Sequence, residues 1–183
     1  MKVLVTGSTG QLGLEFKKIS KKYKYDWVFR NSLQLNFFDI SKINSLLDNI
    51  NPDIIINCAA YTSVENAEFD YESAKTINFK AVYLISKWSS INNCKLIHIS
   101  TDYVFDGKHT SPIGENDKPN PINNYGKSKL KGDLACLKYN PDSVIIRTSL
   151  LYSSYNNNFV KKIISKLKAK NIVNAAVDQF SSP

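Results

Sequence analysis

Thr6-Gly7-Ser8-Thr9-Gly10-Gln11-Leu12-Gly13 follows the apolar run Lys2 to Thr6 and opens Gln11 to Lys22, where Leu12, Phe16 and Ile19 recur at helical spacing. Strand, glycine turn, helix: that order decides the reading of the chain. Glycines spaced G-x-x-G-x-x-G supply a tight turn, room for the backbone to approach a pyrophosphate, and close packing of helix on strand. The helix N-terminus adds unpaired amide N–H groups that favour a phosphate. Glycine triplets also mark ordinary turns, and it is the placement here that points to dinucleotide binding. Gly7, Thr9, Gly10, Gln11, Leu12 and Gly13 are therefore candidate cofactor contacts.

Outward from this turn, short apolar runs alternate with longer helical segments, as in βαβ units. Strands are expected at Lys2 to Thr6, Trp27 to Arg30, Asp53 to Asn57, Lys95 to Ser100, Ser143 to Arg147 and Ile172 to Val177. Ile54-Ile55-Ile56 and Val144-Ile145-Ile146 are apolar without alternation, which implies burial on both faces. Helices are expected over Gln11 to Lys22, Ser41 to Asn49 with Ser41 as a cap, Asp70 to Asn92, Asn124 to Lys138 and Asn156 to Lys170. Thr101 to Asn124 holds Pro112, Pro119, Pro121, Gly107 and Gly114 and reads as a long loop. The expected fold is α/β, a doubly wound, Rossmann-type parallel sheet with helices on both faces.

The chain's 183 residues match one domain at about 150 residues per domain. Hydrophobic residues at 43% and charged residues at 22% exclude disorder throughout. No run approaches the ~18 apolar residues of a membrane span and no signal-peptide pattern opens the chain, so the expectation is a cytoplasmic protein without a membrane partner. Cys58, Cys94 and Cys136 form no C-x-x-C pair and read as buried free thiols. The net charge of +8 rests on lysines scattered over solvated helix faces, with only Arg30 and Arg147 as arginines. No nucleic-acid partner is expected, while a phosphate-bearing small molecule suits the charge.

A second motif, Tyr125-Gly126-Lys127-Ser128-Lys129, lies near the start of a helix. Tyr and Lys four apart share a helix face, so the ammonium can stabilise a tyrosinate and draw the phenol pKa from about 10 towards neutrality. Y-x-x-x-K also occurs by chance on amphipathic helices. The third feature is Ile99-Ser100-Thr101-Asp102-Tyr103, which ends a strand where open α/β sheets place their ligands. A Thr101 hydroxyl there could share a carbonyl oxygen with Tyr125.

These residues resemble the extended short-chain dehydrogenase/reductases, in the dTDP-4-dehydrorhamnose reductase branch. The resemblance is carried by the glycine motif, by the stretch from Asn57-Cys58-Ala59-Ala60-Tyr61-Thr62 to Glu68, by Ser100-Thr101-Asp102-Tyr103-Val104-Phe105-Asp106-Gly107, by Tyr125 to Leu130, and by Ile146-Arg147-Thr148-Ser149. It implies reduction of the C4 keto group of a dTDP-linked 6-deoxy hexose by NADPH or NADH. Thr101, Tyr125 and Lys129 would be catalytic, and Thr62, Val64, Asp102 and Tyr103 would line the sugar-nucleotide site. Asp39 and Ile40 would lie beside the adenine, and Ala59, Ala60 and Tyr61 along the cofactor. Arg30, at a strand end without an acidic residue, favours NADPH, because an arginine can pair with a 2′-phosphate; it reads equally as a surface residue.

The chain departs from the family pattern in two places. Leu150 stands where a tryptophan usually follows R-T-S, and the chain stops at Val177-Asp178-Gln179-Phe180-Ser181-Ser182-Pro183, where members continue into a smaller substrate domain. The expectation is a dinucleotide-binding domain over 1–183 with the substrate domain largely absent, and an apolar surface near Leu150 to Phe159 that invites a homodimer or partner chain. A dehydratase is disfavoured because Tyr103 stands where its acid would be. A nucleotide-sugar epimerase, or a catalytically silent cofactor-binding or regulatory subunit, are the alternatives. His98 reads as a core residue, His109 as an exposed loop residue and Asn78 as a structural contact, and Glu65 with Glu68 makes no credible metal site.

Overall fold

Leu4 lies on one face of its strand and Val3 and Val5 on the other, and all three are buried. Successive strand side chains point to opposite faces, so a strand with both sets buried must be covered twice. A computed structural model describes residues 1–109, 111–169 and 172–174. Its strands are β1 (Lys2–Thr6), β2 (Asp26–Arg30), β3 (Ile54–Asn57), β4 (Lys95–Thr101) and β5 (Val144–Thr148), in one sheet of order β2-β1-β3-β4-β5. Every pairing is parallel, with Thr6 opposite Arg30 on one side and Asn57 on the other. The winding reverses between β1 and β3, which puts the carboxyl ends of those strands at the switch-point crevice of a doubly wound sheet.

The larger core, around Leu4, Ile55 and Leu96, packs against Ile43 and Leu47 of α2 (Ile43–Ile50), Val82, Ile85 and Trp88 of α5 (Ala81–Ile91), and Cys136 of α6 (Asn124–Tyr139). Opposite it, Val3, Val5 and Ile56 meet Phe16 of α1 (Gln11–Ser20). The expected α/β fold with helices on both faces is therefore present. The edges depart from expectation: Val144 and Ile146 of β5 are exposed, so its apolar run is not buried on both faces among the described residues. Ile19 of α1, at helical spacing from Phe16, is also exposed.

Three helical expectations need correction. Ser41 does not cap α2; it lies in a 3₁₀ turn, Ile40–Lys42, and its hydroxyl donates to Asp39 Oδ1 at 2.6 Å. Asp70 to Asn92 is not one regular helix. A short α3 (Val64–Phe69) precedes it, and α4 (Tyr71–Lys75) joins α5 through a π-turn, Thr76–Lys80. The last helix, α7, is Phe159–Lys168, and Asn158 is its cap rather than part of it, accepting the Lys161 amide at 3.0 Å. Of the strand expected over Ile172 to Val177, residues 172–174 are not in a strand and the rest lies outside the described residues.

Candidate active site

The glycine turn takes its shape from two close approaches. Gly7 has φ +63°, and a β-carbon on it would lie 2.8 Å from the Ala59 nitrogen and α-carbon. Only glycine adopts that conformation freely, and only a residue without a side chain lets the turn meet the loop after β3. A β-carbon on Gly13 would collide with Gly7 and Ser8, so α1 packs directly on the turn. Between them, Thr9 and Gly10 are exposed, and Gly10, just before α1, gives the helix no side-chain cap. The first-turn amides of α1 thus have no side-chain acceptor from Gly10 and suit a phosphate.

Two contacts to this turn escape the sequence reading. Asn156 Nδ2 donates to the Thr9 carbonyl at 2.9 Å, and Asn158 Nδ2 donates to Gln11 Oε1 at 2.9 Å. The chain before α7 therefore braces the exposed part of the glycine turn. The sequence placed Asn156 and Asn158 inside a helix, and nothing in it named a partner 147 residues away.

The other side of the crevice joins the end of β4 to α6. Gly126 has no room for a β-carbon beside the Tyr103 carbonyl, so Tyr125 stands next to Thr101. Asn123 Oδ1 accepts the Gly126 amide and Glu68 Oε1 accepts the Asn124 amide, both at 2.7 Å, fixing the helix start. The Tyr125 ring meets Tyr103 edge-on at 5.7 Å and packs with Ala67, Ala74, Tyr61 and Val64. Asn78, in the π-turn, accepts the Tyr61 amide at 2.9 Å and donates to the Tyr61 carbonyl at 3.0 Å and to Ser128 Oγ at 2.9 Å. It ties the loop after β3 to the helix that carries Tyr125, the structural part expected of it.

Thr101, Tyr125 and Lys129 are all buried, but not as the i, i+4 spacing implies. Burial pushes the Tyr125 phenol above its ordinary value, opposed by hydrogen bonding with Thr101. The expectation of a phenol drawn towards neutrality by Lys129 is thus corrected. Lys129 Nζ instead donates to the Ile99 carbonyl at 2.7 Å and lies 3.5 Å from His98 Nε2. Burial brings the ammonium down to about 8, with Asp133 the largest influence raising it.

Among the remaining candidates, Ala59 donates its amide to Thr6 Oγ1 at 3.2 Å, and Ala60 and Tyr61 follow it, half-buried. Thr62 and Tyr103 are exposed, and Asp102 accepts the Thr101 hydroxyl at 3.2 Å. Asp39 pairs with Lys42 at 2.7 Å, which with Ser41 holds its carboxyl below the usual range; Ile40 beside it is exposed. Arg30 accepts the Ser8 amide through its carbonyl at 3.1 Å. Its guanidinium donates to the Phe29 carbonyl at 3.2 Å and lines a cavity of about 300 Å³ with Val28, Leu46 and Asn49. His98 is fully buried and His109 exposed, as expected, and no group of metal-ligating residues occurs among the described residues. No helix of the described residues is long and apolar enough to cross a membrane.

The RmlD substrate binding domain family matches residues 1–183. The chain is 36% identical over 183 residues to the dTDP-4-dehydrorhamnose reductase of Aggregatibacter actinomycetemcomitans, with all of it aligned to 62% of that protein. It is 37% identical over 182 residues to the spore coat polysaccharide biosynthesis protein SpsK of Bacillus subtilis, again over its full length and 64% of that protein. Among solved structures it matches the Bacillus anthracis dTDP-4-dehydrorhamnose reductase, determined in complex with NADP, with a TM-score of 0.87 and 38% identity over 92% of this chain and 60% of that one. A Clostridium acetobutylicum dTDP-4-dehydrorhamnose reductase gives a TM-score of 0.89 at 37% identity, also over 92% of this chain and 60% of that one. The chain therefore spans less than two thirds of the length of these relatives. With the family matched from residue 1 to residue 183, and with the parallel sheet and glycine turn that the alternating strands and helices foretold, this chain belongs to the RmlD substrate binding domain family.

Proposed function

We propose that the protein carrying this sequence reduces the C4 keto group of dTDP-4-dehydro-6-deoxy-L-mannose to dTDP-L-rhamnose, for cell-surface polysaccharide, using NADPH or NADH. The observation that carries this reading is the convergence of Thr101 and the neutral, buried Tyr125 at the carboxyl end of β4, with Lys129 one helical turn behind. Relatives named dTDP-4-dehydrorhamnose reductase support it, as does the NADP complex of the Bacillus anthracis protein.

The residues fit a dinucleotide. Gly7 leaves no side chain at the crevice, Thr9 and Gly10 are exposed, and α1 starts without a side-chain cap. Gly7, Thr9, Gly10, Gln11, Leu12 and Gly13 would hold the pyrophosphate, with Asp39 and Ile40 at the adenine and Ala59, Ala60 and Tyr61 along the nicotinamide half. A bound NADPH or NADH supplies the hydride. Tyr125 gives its phenolic proton to the sugar oxygen as the C4 carbonyl is reduced, and a phenol whose pKa lies above the ordinary value stays protonated for that task. The Thr101 hydroxyl hydrogen-bonds the same oxygen. Lys129 keeps a positive charge near the site and holds the ribose. Thr62, Val64, Asp102 and Tyr103 line the sugar nucleotide.

Residues 1–183 form the dinucleotide-binding unit in this reading, and contacts remote from the keto group would come from a smaller domain or another chain. Exposed Leu151, Tyr152 and Phe159 supply an apolar surface for a second copy or a partner. The test is to incubate the protein with NADPH and the 4-keto sugar nucleotide and to identify the sugar formed. Stoichiometric conversion of NADPH and keto sugar to dTDP-L-rhamnose supports the reading. Inverted sugar without net NADPH consumption would make the protein an epimerase, and NADPH binding without any conversion would make it a cofactor-binding subunit. Equal dissociation constants for NADPH and NADH would remove the role given to Arg30.

A further inference from the structure

A line of buried polar groups runs beneath the crevice from the glycine turn's strand to α6. The Ala59 amide donates to Thr6 Oγ1 at 3.2 Å, and Thr6 Oγ1 lies 2.6 Å from Asn57 Oδ1. Asn57 Nδ2 lies 3.0 Å from His98 Nδ1. His98 Nε2 then faces Asp133 Oδ1 at 3.8 Å and Lys129 Nζ at 3.5 Å. Asp133 Oδ2 accepts from Arg147 Nε of β5 at 3.1 Å. Thr6, Asn57, His98, Lys129 and Asp133 are each at most 2% exposed.

The donors and acceptors on this line fix one another. Since Ala59 has only an N–H to give, Thr6 Oγ1 accepts there and its own proton is free for Asn57. A separation of 2.6 Å suits O–H···O and is short for N–H···O, which assigns Oδ1, not Nδ2, to the Thr6 side. Asn57 Nδ2 must then donate to His98 Nδ1, which has to be an unprotonated acceptor. A neutral imidazole with a bare Nδ1 carries its proton on Nε2. Burial and the neighbouring ammonium hold His98 well below its ordinary pKa, so the ring is neutral.

We propose that His98 and Asp133 are positioning residues for Lys129: the Ala59–Thr6–Asn57 line locks His98 with its proton on Nε2, on the side of the Asp133 carboxylate but 3.8 Å from it and not hydrogen-bonded to it, and so offers the lysine no acceptor, leaving its protons for Ile99 and for a ligand. A His98 with the opposite tautomer would present a lone pair to the ammonium and draw it back into the sheet. Asp133 lies one helical turn beyond Lys129, and its charge opposes the burial that would otherwise discharge the lysine. The groups acting on Lys129 are Asp133 and Cys136 of α6, His98 of β4 and Cys58 after β3, with Arg147 of β5 reaching it through Asp133. The role given to Lys129 rests on the function proposed above, whereas the tautomer and the lysine's charge do not.

Nitrogen NMR on protein labelled in histidine reads the tautomer directly, because the chain has two histidines and only His98 is buried. A protonated Nε2 and bare Nδ1 at neutral pH are expected; the reverse tautomer, or an imidazolium, overturns the proposal. Thr6→Val, which keeps the strand but removes the orienting hydroxyl, should give a mixture of tautomers, and an unchanged spectrum would overturn the part assigned to Thr6. Titration of the labelled Lys129 ammonium should shift down by about one unit or more in Asp133→Asn and return in Asp133→Glu. An unchanged midpoint in Asp133→Asn contradicts the role of Asp133. If Asp133→Asn does not fold, Asp133→Glu still decides, since a midpoint that moves down there as well contradicts the assignment. None of these measurements uses turnover, so failure of sugar reduction would refute the proposed function and leave them standing.

Discussion

The Tyr103 carbonyl oxygen fills the space where a side chain on Gly126 would stand, so the strand end that carries Thr101 and the helix that carries Tyr125 touch backbone to backbone. Gly126→Ala must part them. Overpacking of this kind costs about 1–3 kcal/mol, and moving a proton donor by about 1 Å costs roughly 100-fold in rate. The variant should lose stability in urea and kcat together while binding NADPH as before. Unchanged turnover would show that this contact does not set the site.

Turnover should depend on pH through Lys129. Its pKa is lowered from 10.5 to about 8, so the ammonium is intact below that value and lost above it. Tyr125 moves the other way and remains a proton donor across the same range. kcat should therefore be level below pH 8 and fall above it. A profile still level well beyond pH 8 would remove the charge of Lys129 from the mechanism.

Asn158→Ala should weaken the dinucleotide site from a distance. It removes the cap of α7, worth about 0.5–2 kcal/mol, together with the hydrogen bond to Gln11. NADPH affinity should fall and the glycine-turn amides should exchange faster with solvent. Wild-type affinity and exchange would mean that the contact is not used.

The thiols set an alkaline limit on stability. Burial raises Cys58 from 9.0 to about 12, and Cys94 and Cys136 from 9.0 to about 11. Above pH 9 the unfolded chain releases these protons while the fold keeps them, so the thiols' contribution to stability falls with rising pH, against the opposite contribution of Lys129, which the fold discharges first. Cys136→Ala should flatten the decline of Tm between pH 9 and 11, although the cavity it opens lowers Tm at neutral pH. An identical slope in the variant would contradict this account.

Much of this structure was legible in the residues because burial on both sheet faces writes itself as apolar runs, and the glycine turn as fixed spacing. Gly7 and Gly13 show why: each position excludes a β-carbon, which restricts the residue itself. The π-turn at Thr76–Lys80 was not legible, since Ala74, Ile77 and Ala81 keep a helical spacing across it. Nor was α3, a six-residue helix with one buried residue, Ala67. Spacing put Lys129 on the face of Tyr125 but could not say where a four-carbon stem would carry its charge. That depended on the Ile99 carbonyl, His98 and Asp133, which only the packed sheet brings together. Arg30 illustrates the same limit, its place at a strand end being readable and the direction of its guanidinium not.

The most direct measurement compares the protein carrying this sequence with its Tyr125→Phe variant, first for NADPH binding by nucleotide fluorescence and then for NADPH oxidation on addition of the dTDP-4-keto-6-deoxy sugar. The hydroxyl is the only group removed, so both proteins should bind NADPH equally. Sugar-dependent oxidation should appear with the wild type and fall by roughly 100-fold or more in the variant. Equal oxidation by the two proteins, or no NADPH binding by either, would contradict the account.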